Sequence, residues 1–196
     1  MVRTMPRPPA GRQQLLTAAR AELVRGNGTV DLAALTQRTQ LSTGALYHHF
    51  GSKTGLLVAV YETFYDGLKA EIADAHLPAD ATWSVRERER TRRFVAYHYA
   101  DPLALHMLDG SASDPILSEL EAVYVQGLIA NAAVNVRRGQ RNRQLPRGID
   151  ADSAAAFVIG GLRHGIAQQL RAKPRPSADE ATNRLWGLTA RALGTA

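Results

Sequence analysis

Leu41-Ser42-Thr43-Gly44-Ala45-Leu46-Tyr47-His48-His49-Phe50-Gly51-Ser52-Lys53 reads as a short helix, a tight turn and the start of a longer helix. Ser42 is a good N-cap, because its hydroxyl can accept from a free backbone N–H of the first turn. Leu46 and Phe50 are four apart, so they share one face and can anchor the helix inward. Gly51 can take a positive φ and end the helix, and Ser52 can cap the next one. Thr43, Gly44, Ala45, Tyr47 and His48 fall on the remaining faces, with no carboxylate among them. A surface of small, hydroxylic, aromatic and imidazole groups suits a DNA groove. Small residues let the backbone approach, and polar tips reach phosphates and base edges. Lys53 stands in the first turn of the next helix, where the dipole disfavours a cation but where a phosphate can be gripped.

The residues before it supply a scaffold. Asp31 can cap a second short helix from Leu32 to about Thr39, with Val30 and Leu35 placed as a hydrophobic staple. A turn through Gln40 and Leu41 then joins two short helices, which is the pattern of a helix-turn-helix.

These residues, followed by Leu56-Leu57 and an aromatic-rich helix, resemble the DNA-binding region of TetR/AcrR-type regulators over about residues 12 to 60. Leu46, Tyr47, Phe50, Ser52 and Lys53 stand at that family's spacing; the rest of the chain matches in length and helical pattern only. Two positions depart. The family usually has Gly where this chain has Gln40, and Ala where it has Thr39. Glutamine at a positive φ costs about 1 kcal/mol, so a slightly different turn is expected.

The resemblance implies an all-α protein. Its domain at 1–51 would bind DNA, and its domain at 52–196 would bind an effector and dimerise. It implies that Ser42, Thr43, Gly44, Ala45, Tyr47, His48 and Lys53 contact DNA. Thr43, Gly44, Ala45 and His48 would face the major groove, with Tyr47 and Lys53 on flanking phosphates. It implies a homodimer through the last two helices, which reads a palindromic operator in double-stranded DNA. It further implies a small-molecule effector that shifts the fourth helix and so releases a repressor. An aromatic and histidine-bearing interior would line the effector site: Phe64, Tyr65, Phe94, His98, His106, Tyr124 and Phe157. A helical ligand-binding or interaction module without operator binding is the alternative reading.

Composition agrees with such a protein. The chain has 196 residues, 45% hydrophobic, 21% charged, and a net charge of +6 that favours a polyanionic partner. There is no cysteine, hence no disulfide framework and no thiolate metal site, which fits a cytoplasmic location. No apolar run approaches the ~20 residues a bilayer-spanning helix needs. Met1 to Gly11 carries Arg3, Arg7 and three prolines without a hydrophobic stretch, and is expected to be a flexible basic arm rather than a signal peptide.

Helical spacing recurs along the whole chain, and strand patterns are almost absent. Helix one is expected from Gly11 to Arg25, with Gly26-Asn27-Gly28 ending it. Helix four should run from Ser52 to about Ala75, with Leu57, Val60 or Tyr61, Phe64, Leu68 and Ile72 as its stripe and His76-Leu77-Pro78 closing it. Helix five is expected from Val85 to Ala100 after a loop to Ser84. Its Arg86-to-Arg93 run is read as a solvated face with pairs such as Glu89–Arg93. Asp101-Pro102 and Asp114-Pro115 are start signals for helices six and seven, and Arg137 to Arg143 is read as a cationic break. Asp150 or Asp152 caps helix eight, to about Ala172. Its Gly160, Gly161 and Gly165 each cost about 1 kcal/mol, so another helix should approach closely there. Ser177 and Glu180 form a capping box for helix nine, which carries Trp186 and Leu188.

No metalloprotease, nucleophile-elbow or Walker-type motif is present. The six histidines are scattered, and the adjacent His48 and His49 point to different faces. No enzymatic activity, cofactor or metal is therefore expected.

Overall fold

A computed structural model of the chain describes residues 10–26, 28–73, 80–110 and 114–195. The basic arm before residue 10, Asn27 and the segment His76-Leu77-Pro78 lie outside the described residues. Among the described residues there are helices α1 (Ala10–Arg25), α2 (Leu32–Thr39), α3 (Thr43–Phe50), α4 (Lys53–Ala73), α5 (Trp83–Ala100), α6 (Ala104–Asp109), α7 (Pro115–Arg141), α8 (Ala151–Arg171) and α9 (Ala178–Ala192), and no strand. The fold is all-α, as the spacing predicts.

Capping residues set most of the helix starts. The Asp31 carboxylate accepts from Ala33 N–H, Ser42 from Ala45, Asp114 from Ile116 and Asp150 from Ser153. Ser177 and Glu180 close a full capping box at α9. Val30 and Leu35 are both buried, as a staple requires.

α1, α2 and α3 pack together, and α4 carries that group into the rest of the molecule. At 21 residues α4 is about 31 Å long. It packs on α1 and α3 and also on α5 and α7. Leu56, Val60, Tyr61, Phe64, Tyr65 and Leu68 are all buried, so a single apolar core runs unbroken from α1 to α9. A smaller core around Trp83, Val136, Leu145 and Leu193 closes the far end.

Several boundaries differ from expectation. α5 starts two residues early, at Trp83, because the Thr82 hydroxyl accepts from Val85 N–H and caps it. Pro102 does not open α6. The Asp101 carboxylate accepts from Leu103 N–H and also pairs with Arg20 of α1, so the helix begins only at Ala104. α7 continues through Arg141, so Arg137 and Arg138 are helical rather than part of a break, and Arg137 pairs with Asp152 of α8. Gln40 takes φ 54 and ψ 21, the left-handed conformation that glycine would occupy. The turn keeps its ordinary geometry and the glutamine carries the strain. Thr39 fits in place of a smaller residue by turning its hydroxyl onto the Leu35 carbonyl at 2.9 Å.

Candidate nucleic-acid interface and effector cavity

α3 is fixed to the protein by little of its own surface. Leu46 is its one buried residue, fully enclosed, with Phe50 half-buried beneath the Arg12 guanidinium at 5.2 Å from the ring centroid. Gly51, at φ 73, ends the helix and donates its N–H to the Tyr47 carbonyl. The Ser52 hydroxyl accepts from Gly55 N–H at 2.8 Å, so α4 starts immediately. These contacts leave Ser42, Thr43, Gly44, Tyr47, His48 and Lys53 exposed, with Ala45 half-exposed beside them. Tyr47 is 49% exposed. His49 turns the other way, toward Gly11 of α1 and edge-on to Phe50. The surface holds hydrogen-bond donors, an aromatic hydroxyl and a cation, and no carboxylate. Its chemistry fits phosphates and base edges.

The expected effector residues divide differently. Phe64, Tyr65 and His98 are fully buried core, their rings meeting edge to face. The His98 Nδ1 lies 2.7 Å from the Phe94 carbonyl, so Nδ1–H donates there, and burial pushes its pKa down to about 4. Tyr124 stacks on Tyr65 with ring centroids 4.8 Å apart, and its hydroxyl donates to Asp66. Phe157 is not an interior residue: it is 69% exposed on the outer face of α8.

His106 bridges the two halves. Its Nε2 lies 2.9 Å from the Tyr61 hydroxyl on α4, and its ring lies over Gly28 between α1 and α2. Burial lowers its pKa. One more bond joins the same halves, Arg20 of α1 with Asp101, and at the start of α4 Thr54 donates to Asp114 at 3.0 Å.

An open cavity of about 420 Å³ lies among α4, α5, α7, α8 and α9. Of the expected effector residues only Phe94 lines it. Its apolar walls come from Ile72, Leu128, Val158, Ile159 and Leu162, and its far wall from Trp83 and Trp186, whose ring centroids are 6.3 Å apart. Polar groups from Glu87, Arg90, Thr91, Asn131 and Asn135 reach it. An apolar chamber with a few convergent polar groups is the usual form of a small-molecule site. One signal for it was present in the sequence. Trp83, Glu87, Thr91 and Phe94 recur at helical spacing on one face of α5, which turns part of the charged run inward.

Among the described residues no helix is long and apolar enough to cross a membrane, and no group of three or more His, Asp or Glu could hold a metal.

The comparisons with known proteins agree with this layout. Residues 15–60 match the profile of the bacterial regulatory proteins of the tetR family. The HTH-type transcriptional regulator BetI of Burkholderia thailandensis is 30% identical over 162 residues, covering 77% of this chain and 78% of that protein. A bacterial regulatory protein of the tetR family from Rhodococcus RHA1 superposes with a TM-score of 0.77 at 18% identity, over 96% of this chain and 99% of that one. Salmonella enterica GusR does so with a TM-score of 0.76 at 19% identity, over 98% and 100%. The two solved structures are similar in fold.

Proposed function

This chain belongs to the TetR family of bacterial regulators and is a ligand-responsive DNA-binding transcriptional regulator; we propose that it is a repressor. In this reading it binds a palindromic operator as a homodimer and leaves it when a small molecule enters the cavity. The observation that carries the reading is the outward face of α3. Thr43, Gly44, Ala45 and His48 stand free for base edges, and Tyr47 and Lys53 flank them for phosphates. Ser42 caps the helix from the same exposed side. The unit before residue 52 would be the reading head, and the remainder the effector and dimer unit.

One reading head grips too little DNA to be selective, whereas a two-fold dimer reads two half-sites. The outer faces of α8 and α9 supply a surface for pairing. Ala156, Phe157, Gly161 and Leu188 are exposed there, and a Cβ added at Gly160 or Gly161 would meet nothing of its own chain within 4 Å. Gly165 is different: its missing side chain makes room for Leu185 of α9. Paired across a two-fold axis, α8 and α9 would form a four-helix bundle.

Release follows from α4. It lines the cavity through Lys69, Ile72 and Ala73 and begins at Lys53 beside α3. A ligand that favours a different position of α4 changes the spacing of two reading heads. That is a coupling free energy between the sites, and it is reciprocal.

The test is selection of bound fragments from the source genome, followed by gel shifts at rising salt. The expected result is a palindromic footprint whose affinity falls steeply and linearly on a log–log salt plot. A purified, folded protein that selects no fragment overturns the reading.

A further inference from the structure

The cavity does not end at Trp83. A second, smaller chamber of about 160 Å³ lies behind it and shares Trp83, Glu87, Arg90 and Asn135 with the first. Trp83 is the partition, and it is held firmly. Its backbone N–H donates to Gln144 Oε1 at 2.8 Å and its indole N–H to the Asn135 carbonyl at 2.9 Å. A Cβ on Gly139 would stand 2.8 Å from the indole edge, so the ring needs the glycine to lie where it does.

The two chambers differ in chemistry. The first is mostly aliphatic and aromatic. The second is polar, lined by Asp80, Arg86, Arg138 and Gln144 besides the shared residues. Four basic side chains (Lys69, Arg86, Arg90 and Arg138) stand around the pair of chambers against two carboxylates, Asp80 and Glu87. Lys69 lies at the opposite end, its Nζ 4.0 Å from the Tyr124 ring centroid. Behind Trp83, three guanidinium groups (Arg86, Arg90 and Arg138) therefore stand against the two carboxylates.

We propose that the effector is an amphipathic anion, with an apolar body in the larger chamber and a carboxylate- or phosphate-type head turned toward Arg138 in the smaller one. This rests on the effector-site reading of the cavity given above. An apolar cation is the competing class, since two tryptophans and Glu87 are present. Three facts decide against it. The tryptophans touch each other rather than flank a space. Glu87 is already paired with Arg90. Burial raises the Glu87 pKa, with Arg90, Arg138 and Arg86 acting against that rise, so an arriving cation would meet a carboxylate whose charged form burial already disfavours. Arg138 is exposed and forms no ion pair among the described residues, and a guanidinium can grip a planar anion through two parallel N–H donors.

Decanoate, decanol and decyltrimethylammonium, each titrated below its micelle concentration into the full-length protein, separate the classes through tryptophan fluorescence. Decanoate is expected to bind at least tenfold tighter than the other two, about 1.4 kcal/mol. Arg138→Ala, on an exposed helical site, is expected to remove that preference while changing decanol affinity less than twofold. Circular dichroism checks that the variant folds. Tighter binding of the cation or the alcohol, or a preference that survives Arg138→Ala, overturns the anion assignment and leaves the effector site standing. Absence of saturable quenching by all three probes, with DNA binding intact, overturns the effector site as well.

Discussion

The His106 ring fills the space that a side chain on Gly28 would need: a Cβ there would stand 2.8 Å from Cε1. Gly28 also sits at φ +91, where a β-carbon is strained in any surroundings. The same imidazole meets the Tyr61 hydroxyl at 2.9 Å. One residue of α6 thus touches both the α1–α2 connection and α4.

Gly28→Ala is expected to destabilise the protein by about 1–3 kcal/mol, from backbone strain and displacement of the imidazole together. His106→Ala should cost less stability and weaken the coupling between effector and operator. Operator titrations with and without effector measure that coupling. An unchanged ratio in His106→Ala would show that the contact is packing alone.

Gln40→Gly should stabilise the protein by up to about 1 kcal/mol. It relieves a left-handed glutamine at φ 54, and the greater freedom of glycine in the unfolded chain offsets part of the gain. Thermal melts of the two proteins check it; a lower midpoint for the variant would show that the Gln40 side chain holds the turn.

Acid should unfold the protein through His98. Its folded pKa of about 4 lies below the ordinary value near 6.5. The unfolded chain therefore takes up the proton first as pH falls. Stability is intact above about pH 6.5 and drops progressively down to about pH 4, by about 2 kcal/mol at pH 5. His106 is shifted in the same direction and adds to the loss. His98→Gln should flatten most of this slope in denaturant midpoints measured from pH 7 to 5. A slope equal to the parent's would assign acid sensitivity to another group.

Tyr47→Ala and Lys53→Ala are expected to weaken all DNA sites alike, Lys53→Ala also lowering the salt slope by about 1, whereas Thr43→Ala changes sequence preference. Binding-site selection with each variant distinguishes the roles. Unchanged affinity in both phosphate variants would remove α3 from the interface.

Gly161→Leu should abolish the dimer and spare the protomer, since nothing of its own chain lies near the added side chain. Gly165→Leu should instead disturb the protomer, because it collides with Leu185. Sedimentation and thermal melts read the two effects separately, and a Gly161→Leu dimer would place the interface elsewhere.

What the sequence made legible was local. Asp31, Ser42, Asp114, Asp150 and the Ser177–Glu180 box each act on the first turn of their own helix, so spacing alone identifies them. The exposed face of α3 is legible for the same reason, since an eight-residue helix with one large aliphatic residue has only one way to face. The interior of the larger unit was not. The first half of α8, from Ala154 to Leu162, is apolar or small on every side, and only its neighbours place Ile159 inside and Phe157 outside. The charged run of α5 looked solvated, and Glu89 does pair with Arg92 and Arg93. Two turns of that run, at Glu87 and Arg90, face a chamber that exists only once α7 is packed beside it.

Leu46, with Phe50 half-buried beside it, holds α3 in place, and none of Thr43, Ala45 and His48 is buried. In the proposed reading, the address that α3 reads is therefore separable from the scaffold that presents it. Exchanging Thr43, Ala45 and His48 for other polar or small residues would redirect the regulator to a different operator at little cost in stability. The cavity and the proposed α4 lever and pairing surface would keep their design, as interchangeable parts of one switch.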